Sequence, residues 1–153
     1  MRAKKGIFAS EAAAPVGAYP HARRAGNLLF LSGIGPRPAD AGPVAGAIFD
    51  DSGSVLDYDI ELQCHAVFRN VQAVLDSAGA TLRDLVDVTV YLTDIKRDFG
   101  VFNRVYGEYF QEEGPCRTTV EVNRLPTPIA IELKCVAFID NCNDHSNDDR
   151  TAD

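Results

Sequence analysis

Apolar side chains recur at three- and four-residue steps through Cys64, Val67, Phe68, Val71, Val74, Leu75 and Ala78, the spacing of a long helix with one continuous buried stripe. Asp57 or Asp59 can cap its start, and Gly79 can end it. Over residues 85–93 the period falls to two, with Val86, Val88, Val90 and Leu92 on one side and Asp87, Thr89, Tyr91 and Thr93 on the other. That pattern predicts a strand with one apolar face. A second helix is expected from near Asp98, with Phe99, Phe102, Tyr106 and Phe110 inward and Asn103 one residue from the stripe, stopping before Gly114 and Pro115. Residues 118–122 and 129–137 alternate again and flank Leu125, Pro126, Thr127 and Pro128. Prolines cannot donate to a sheet ladder and belong in the connection, so the two runs read as a hairpin. In its second strand Ile129, Ile131, Leu133 and Cys135 share a face, opposite Ala130, Glu132, Lys134, Val136 and Phe138.

The N-terminal part is more punctuated. A short strand is expected within residues 6–10, followed by a loop over Pro15, Val16, Gly17, Ala18, Tyr19 and Pro20. The run from Asn27 through Leu28, Leu29, Phe30 and Leu31 to Ser32 and Gly33 is apolar on both faces, which predicts a strand buried on both sides. Another short strand over residues 44–49 ends in Asp50, Asp51, Ser52 and Gly53, a turn by composition. The order of elements gives an α+β domain over residues 1–139: a single mixed β-sheet with two helices packed on one face. Its other face then needs cover. Residues 140–153 have no periodicity and little apolar content, and a disordered tail is expected there.

Charge and composition narrow the partners. A formal charge of −7 at pH 7 repels phosphate backbones, so no nucleic acid is expected. No apolar run is long enough to span a bilayer, and the basic start Met1, Arg2, Ala3, Lys4, Lys5 lacks a following apolar segment. No membrane contact and a cytoplasmic location are expected. Cys64, Cys116, Cys135 and Cys142 contain no CxxC pair and combine with the three histidines in no usual zinc spacing. They read as reduced thiols, and no metal or other cofactor is expected.

Two charges stand out on the C-terminal strands. Arg117 offers a planar fork suited to a carboxylate, or a surface ion pair. Glu132 sits among isoleucine and leucine neighbours, where burial raises a carboxyl toward neutrality and suits it to acid/base work; an ion pair with Lys134 or Arg117 is the plainer alternative.

The same residues carry a family resemblance. Pro115 and Arg117, the run Val120-Glu121-Val122, then Arg124-Leu125-Pro126 and Ile131-Glu132-Leu133, resemble the signature of the RidA/YjgF family of enamine and imine deaminases. The likeness runs from Pro15 through Leu31-Ser32-Gly33 and Phe102-Asn103 to Phe138. It implies the chorismate-mutase-like YjgF fold, a homotrimer (or a multiple of it) built around a central barrel, and ligand sites in clefts between subunits. It also implies that Arg117 grips the substrate carboxylate, that Glu132 is the acid/base, and that Tyr19, Ser32, Gly33 and Asn103 line the pocket. Thr119 stands where many members have a cysteine, while Cys116 precedes the arginine.

Within the family, Pro20 to Gly26, the Ser32-Gly33-x-x-x-Arg37 pattern, and Tyr106-Gly107-Glu108-Tyr109-Phe110 resemble the 2-aminomuconate deaminase branch. That branch removes ammonia from a small unsaturated amino-dicarboxylate during breakdown of aromatic compounds. A dianion needs a second cation, for which Arg37 is the first choice, with His21, Arg23 and Arg24 nearby. The expected function is 2-aminomuconate deamination to 4-oxalocrotonate; the alternatives are a general deaminase of 2-aminoacrylate and related enamines, and a non-catalytic ligand-binding module.

Overall fold

The computed structural model describes residues 5–111 and 113–140; the expected disordered tail, with Cys142, lies outside them. The strands are β1 (Gly6–Ile7), β2 (Ala22–Ala25), β3 (Leu28–Leu31), β4 (Ala47–Phe49), β5 (Val55–Tyr58), β6 (Leu85–Leu92), β7 (Cys116–Glu121) and β8 (Ile131–Phe138). The helices are α1 (Ile60–Asp76) and α2 (Ile95–Tyr109). Six strands form one mixed sheet in the order β1-β2-β3-β8-β6-β7, and β4 and β5 make a separate antiparallel pair. All neighbours in the large sheet are antiparallel except β6 and β7, which run parallel.

The α1 stripe forms as its periodicity predicts. The Asp59 carboxylate accepts the Leu62 N–H, satisfying one of the orphan donors of the first turn. Past the last turn Gly79 takes φ +72°, a conformation side chains resist. Cys64, Val67, Phe68, Val71, Val74 and Leu75 are buried against Leu29, Leu31, Val88, Val90, Leu92, Ile131, Leu133 and Cys135 of the sheet. Burying a side chain of this size contributes about 1.5–3 kcal/mol, so this single layer is the main source of stability. Cys64 and Cys135 are free thiols in that core, and burial pushes both up to about 12.

Several expectations are corrected. The two C-terminal runs do not pair as a hairpin, because β6 lies between β7 and β8. The Val122 N–H bonds the Leu92 carbonyl and the Thr93 N–H bonds the Ala130 carbonyl, so the proline-bearing connection straddles the end of β6. In β6 the register shifts between Leu85 and Asp87, which turns Leu85 inward (5 % exposed) and Val86 outward (43 %). This is a β-bulge: one extra residue inverts the alternation before it. Helix α2 starts at Ile95 rather than near Asp98, capped by the Asp94 carboxylate, and Phe99 lies partly exposed. Asp98 is instead fully buried and accepts a hydrogen bond from the Tyr58 hydroxyl at 2.7 Å. Finally, β3 is buried on one face alone, with Leu28 and Phe30 exposed.

That last correction defines the second face of the sheet. Leu28 pairs with Phe138 and Phe30 with Val136, and Leu28, Phe30, Phe138, Val86 and Val120 are all substantially exposed. The helices cover the opposite face. An apolar sheet face left open to water in one chain is characteristic of a surface that meets another molecule.

Candidate active site

The strand register fixes where each candidate side chain points. Cross-strand partners share a face. Arg117 is the partner of Val88 and Thr119 of Val90, both fully buried on the helix side. Glu132 is the partner of Tyr91 and alternates with the buried Ile131 and Leu133. Arg117 and Thr119 therefore face the helices, and Glu132 belongs to the open face. Within one chain the two principal candidates lie on opposite sides of the sheet.

Arg117 sits at the β7 edge on a shelf of rings from α2. Its guanidinium carbon is 4.6 Å from the Tyr106 ring centre, 5.4 Å from Phe102 and 6.0 Å from Phe99. These contacts orient the fork and leave its N–H donors for a ligand. The Thr119 hydroxyl and the Tyr106 hydroxyl are buried without a hydrogen-bond partner among the described residues, polar atoms that a water or ligand would satisfy. Asn103 is exposed on the same helix.

Glu132 belongs to a second group. The β3 end and the loops beside it form a notch of about 30 Å³ lined by Tyr19, His21, Ser32, Gly33, Arg37 and Asn70, among others. Such a volume holds little more than a water. A Cβ on Gly33 would overlap the Glu132 carboxylate, so glycine is what lets that side chain lie against the loop. Burial raises the Glu132 carboxyl above the ordinary glutamate range, and the Arg37 guanidinium partly offsets this. Tyr19 is exposed at the rim.

Two members of the notch are engaged by backbone. The Ala9 N–H donates to His21 Nδ1 at 3.0 Å, so the proton sits on Nε2, which donates to the Ala13 carbonyl at 2.9 Å. His21 is thus a buried loop tie, with both nitrogens occupied. The Ser32 hydroxyl donates to the Pro20 carbonyl at 2.7 Å, leaving its lone pairs free to accept. The Arg37 guanidinium reaches the Ala14 carbonyl at 2.8 Å and keeps further donors.

Sequence reasoning missed Asn70, whose only signal was a polar residue beside an apolar helical stripe. Among the described residues no group of three or more His, Cys, Asp or Glu side chains is gathered where a metal could sit, and no helix is long and apolar enough to cross a membrane.

Gly33 provides a test that leaves the fold alone. Gly33→Ala should lower turnover by roughly 10²-fold, the scale of a 1 Å misplacement, with an unchanged circular dichroism spectrum and melting temperature. A variant that turns over normally would remove Glu132 from the chemistry or the glycine from its support.

Comparison with known proteins adds independent information. The family described as endoribonuclease L-PSP matches residues 9–139. A RutC family protein of Pyrococcus abyssi is 40% identical over 136 residues, covering 89% of this chain and 98% of the relative. The chloroplastic Reactive Intermediate Deaminase A of Arabidopsis thaliana is 34% identical over 137 residues, covering 89% of this chain and 67% of the relative. Among solved structures, E. coli TdcF with bound serine superposes with a TM-score of 0.76 at 28% identity, covering 90% of this chain and all of that one (100%).

Proposed function

As the chain belongs to the endoribonuclease L-PSP family, which includes the RidA and RutC proteins, we propose that it is a hydrolytic deaminase of small enamines and imines bearing a carboxylate. The observation that carries this reading is the presence of an aromatic-seated Arg117 on one sheet face and, on the other, a Glu132 carboxyl that burial raises above the ordinary glutamate range. The resemblance to a reactive intermediate deaminase supports the reaction class, and a serine-bound relative supports a small amino-carboxylate ligand.

The chemistry follows from these groups. The enamine tautomerises to its imine by protonation at carbon. Arg117 holds the adjacent carboxylate by two N–H donors, fixing the C=N carbon for attack. Glu132 takes a proton from water as its oxygen bonds that carbon and returns the proton to nitrogen. Glu132 then carries the proton of the carbinolamine hydroxyl to the amino nitrogen, the C–N bond breaks as the C=O bond forms, ammonia leaves, and a 2-oxo acid remains.

The reading includes assembly. Arg117 and Glu132 lie on opposite faces, the notch is too small for a substrate, and the apolar open face lacks cover. A cyclic trimer would bury that face and bring the Arg117 edge of one subunit to the Glu132 notch of the next. Light scattering should give three times the chain mass or a multiple of it, and a stable monomer at working concentration would refute the shared site.

A narrower substrate, the dicarboxylate 2-aminomuconate, is favoured by one observation: Arg37 lines the notch beside Ser32 and Gly33. A second carboxylate buried without a cation is costly. Arg37→Ala should then raise KM for 2-aminomuconate by roughly tenfold or more, the scale of a lost charged hydrogen bond, with little change for 2-aminoacrylate. An equal effect on both substrates would leave the general deaminase.

The direct test supplies 2-aminoacrylate from a coupled enzyme and follows its ultraviolet absorbance with ammonia release. Faster decay and matching ammonia support the reading. Loss of added RNA without ammonia release would replace it with nuclease action, against which the charge of −7 argues.

A further inference from the structure

Asn70 lies in the third turn of α1, half-buried, and lines the same notch as Arg37. Its amide Nδ2 carries two hydrogens and uses both on one loop: it donates to the Gly35 carbonyl at 2.8 Å and to the Arg37 carbonyl at 2.7 Å. The loop is fixed at its other end by a β-bridge, in which the Ile34 N–H donates to the Leu133 carbonyl and the Leu133 N–H donates to the Ile34 carbonyl, both at 2.9 Å. Leu133 is the chain neighbour of Glu132. Gly35 packs closely on Ile129, so that a Cβ there would approach its Cδ1 to 2.7 Å.

We propose that Asn70 is a positioning residue: it clamps the backbone of residues 35–37 to α1 so that the Arg37 guanidinium is held at the notch beside Ser32 and Gly33. The contacts favour this over a general helix–loop tie because both donors go to the segment that presents Arg37, one of them to Arg37 itself. The Arg37 side chain is then anchored separately on the Ala14 carbonyl. Clamped at both backbone and guanidinium, this cation has a fixed place beside Gly33, against which the Glu132 carboxylate lies, and it partly offsets the effect of burial on that carboxyl. The other groups facing Glu132 are Tyr91, its cross-strand partner, and Lys134, whose ammonium donates to the Leu31 carbonyl. The inference rests on the reading of Glu132 and Arg37 as site residues, but its test does not need turnover.

Carbon-13 NMR of labelled glutamate carboxyls reports the Glu132 titration directly, with Glu132→Gln identifying the signal. Arg37→Ala should move that titration to higher pH, because a favourable cation is removed. Asn70→Leu, which keeps size and removes both donors, should move it the same way by a similar amount. The double variant should show no further shift, since the two act through one contact. Asn70→Gln, which retains the amide, should recover most of the wild-type midpoint. If Asn70→Leu does not fold, Asn70→Ser, too short to reach either carbonyl, carries the same comparison. An unshifted Glu132 titration in a folded Asn70 variant, or additive shifts in the double variant, overturns the proposal. In an active enzyme the same variants should raise KM for 2-aminomuconate by roughly tenfold, the scale of a lost charged hydrogen bond. Wild-type protein inactive on every enamine, with the NMR shifts present, would refute the deaminase reading and leave the Asn70 clamp standing.

Discussion

Glu132→Gln is expected to lower turnover by about 10²- to 10⁴-fold, the usual contribution of a placed acid/base, with KM nearly unchanged. The amide keeps the shape and the contact with Gly33 but can neither take the proton of water nor pass it to the leaving nitrogen. An interaction that matters only in the transition state lowers kcat and kcat/KM together. In the wild-type protein the pH–rate profile should carry a limb above the ordinary glutamate range, because burial destabilises the charged form more than Arg37 restores it. That limb should be absent in the glutamine variant. Normal turnover by Glu132→Gln would show that water is activated elsewhere.

Arg117→Lys is the second large effect, and it should appear in binding. Lysine keeps the charge but loses the planar fork, the two parallel donors and the stacking on Tyr106 and Phe102. A lost charged hydrogen bond costs about 1.5–3 kcal/mol, or roughly ten- to a hundredfold in affinity for the carboxylate. Isothermal titration with a non-reacting 2-oxo acid measures this without turnover. Equal affinities for wild type and Arg117→Lys would mean that the carboxylate is bound by another group.

Much of the architecture was legible because it depends on local periodicity. The α1 stripe, the Asp59 cap, the turn at Gly53 (φ +80°) and the buried face of β8 all follow from neighbours a few residues apart. The errors fall where a distant segment decides. Consecutive strands joined by a short connection usually pair, and residues 118–137 contain nothing to announce that β6, more than twenty residues upstream of β7, lies between them. Strand β2 was hidden for another reason: no strand was expected over Arg23 and Arg24, yet Gly26 at φ +60° allows a two-residue turn that folds β2 onto β3. Val86 was assigned inward because a β-bulge changes the parity of a strand without leaving a mark in its composition.

The candidate site was legible as a set of residue types and not as an arrangement. Arg117 and Glu132 stand out as charges on otherwise apolar strands, and the resemblance assigned them roles. That they face opposite ways follows only from the register, in which Val88 meets Arg117 and Tyr91 meets Glu132 on alternate sides of β6. His21 was read as a spare cation near a turn, whereas its two nitrogens close hydrogen bonds with Ala9 and Ala13 from a segment that gave no sign of approaching it. Asn70 was passed over on the helix because its partners, the carbonyls of Gly35 and Arg37, belong to backbone that no sequence pattern positions.

The claim on which the account turns is that one site is built by two chains, and subunit complementation tests it most directly. Arg117→Ala and Glu132→Gln chains, each nearly inactive alone, are co-expressed with different tags and isolated as mixed oligomers. If the site joins Arg117 of one subunit to Glu132 of its neighbour, each mixed cyclic trimer restores about one site in three, and ammonia release from 2-aminoacrylate should return to about that fraction of the wild-type rate. Mixed oligomers that remain as inactive as either parent would contradict the account.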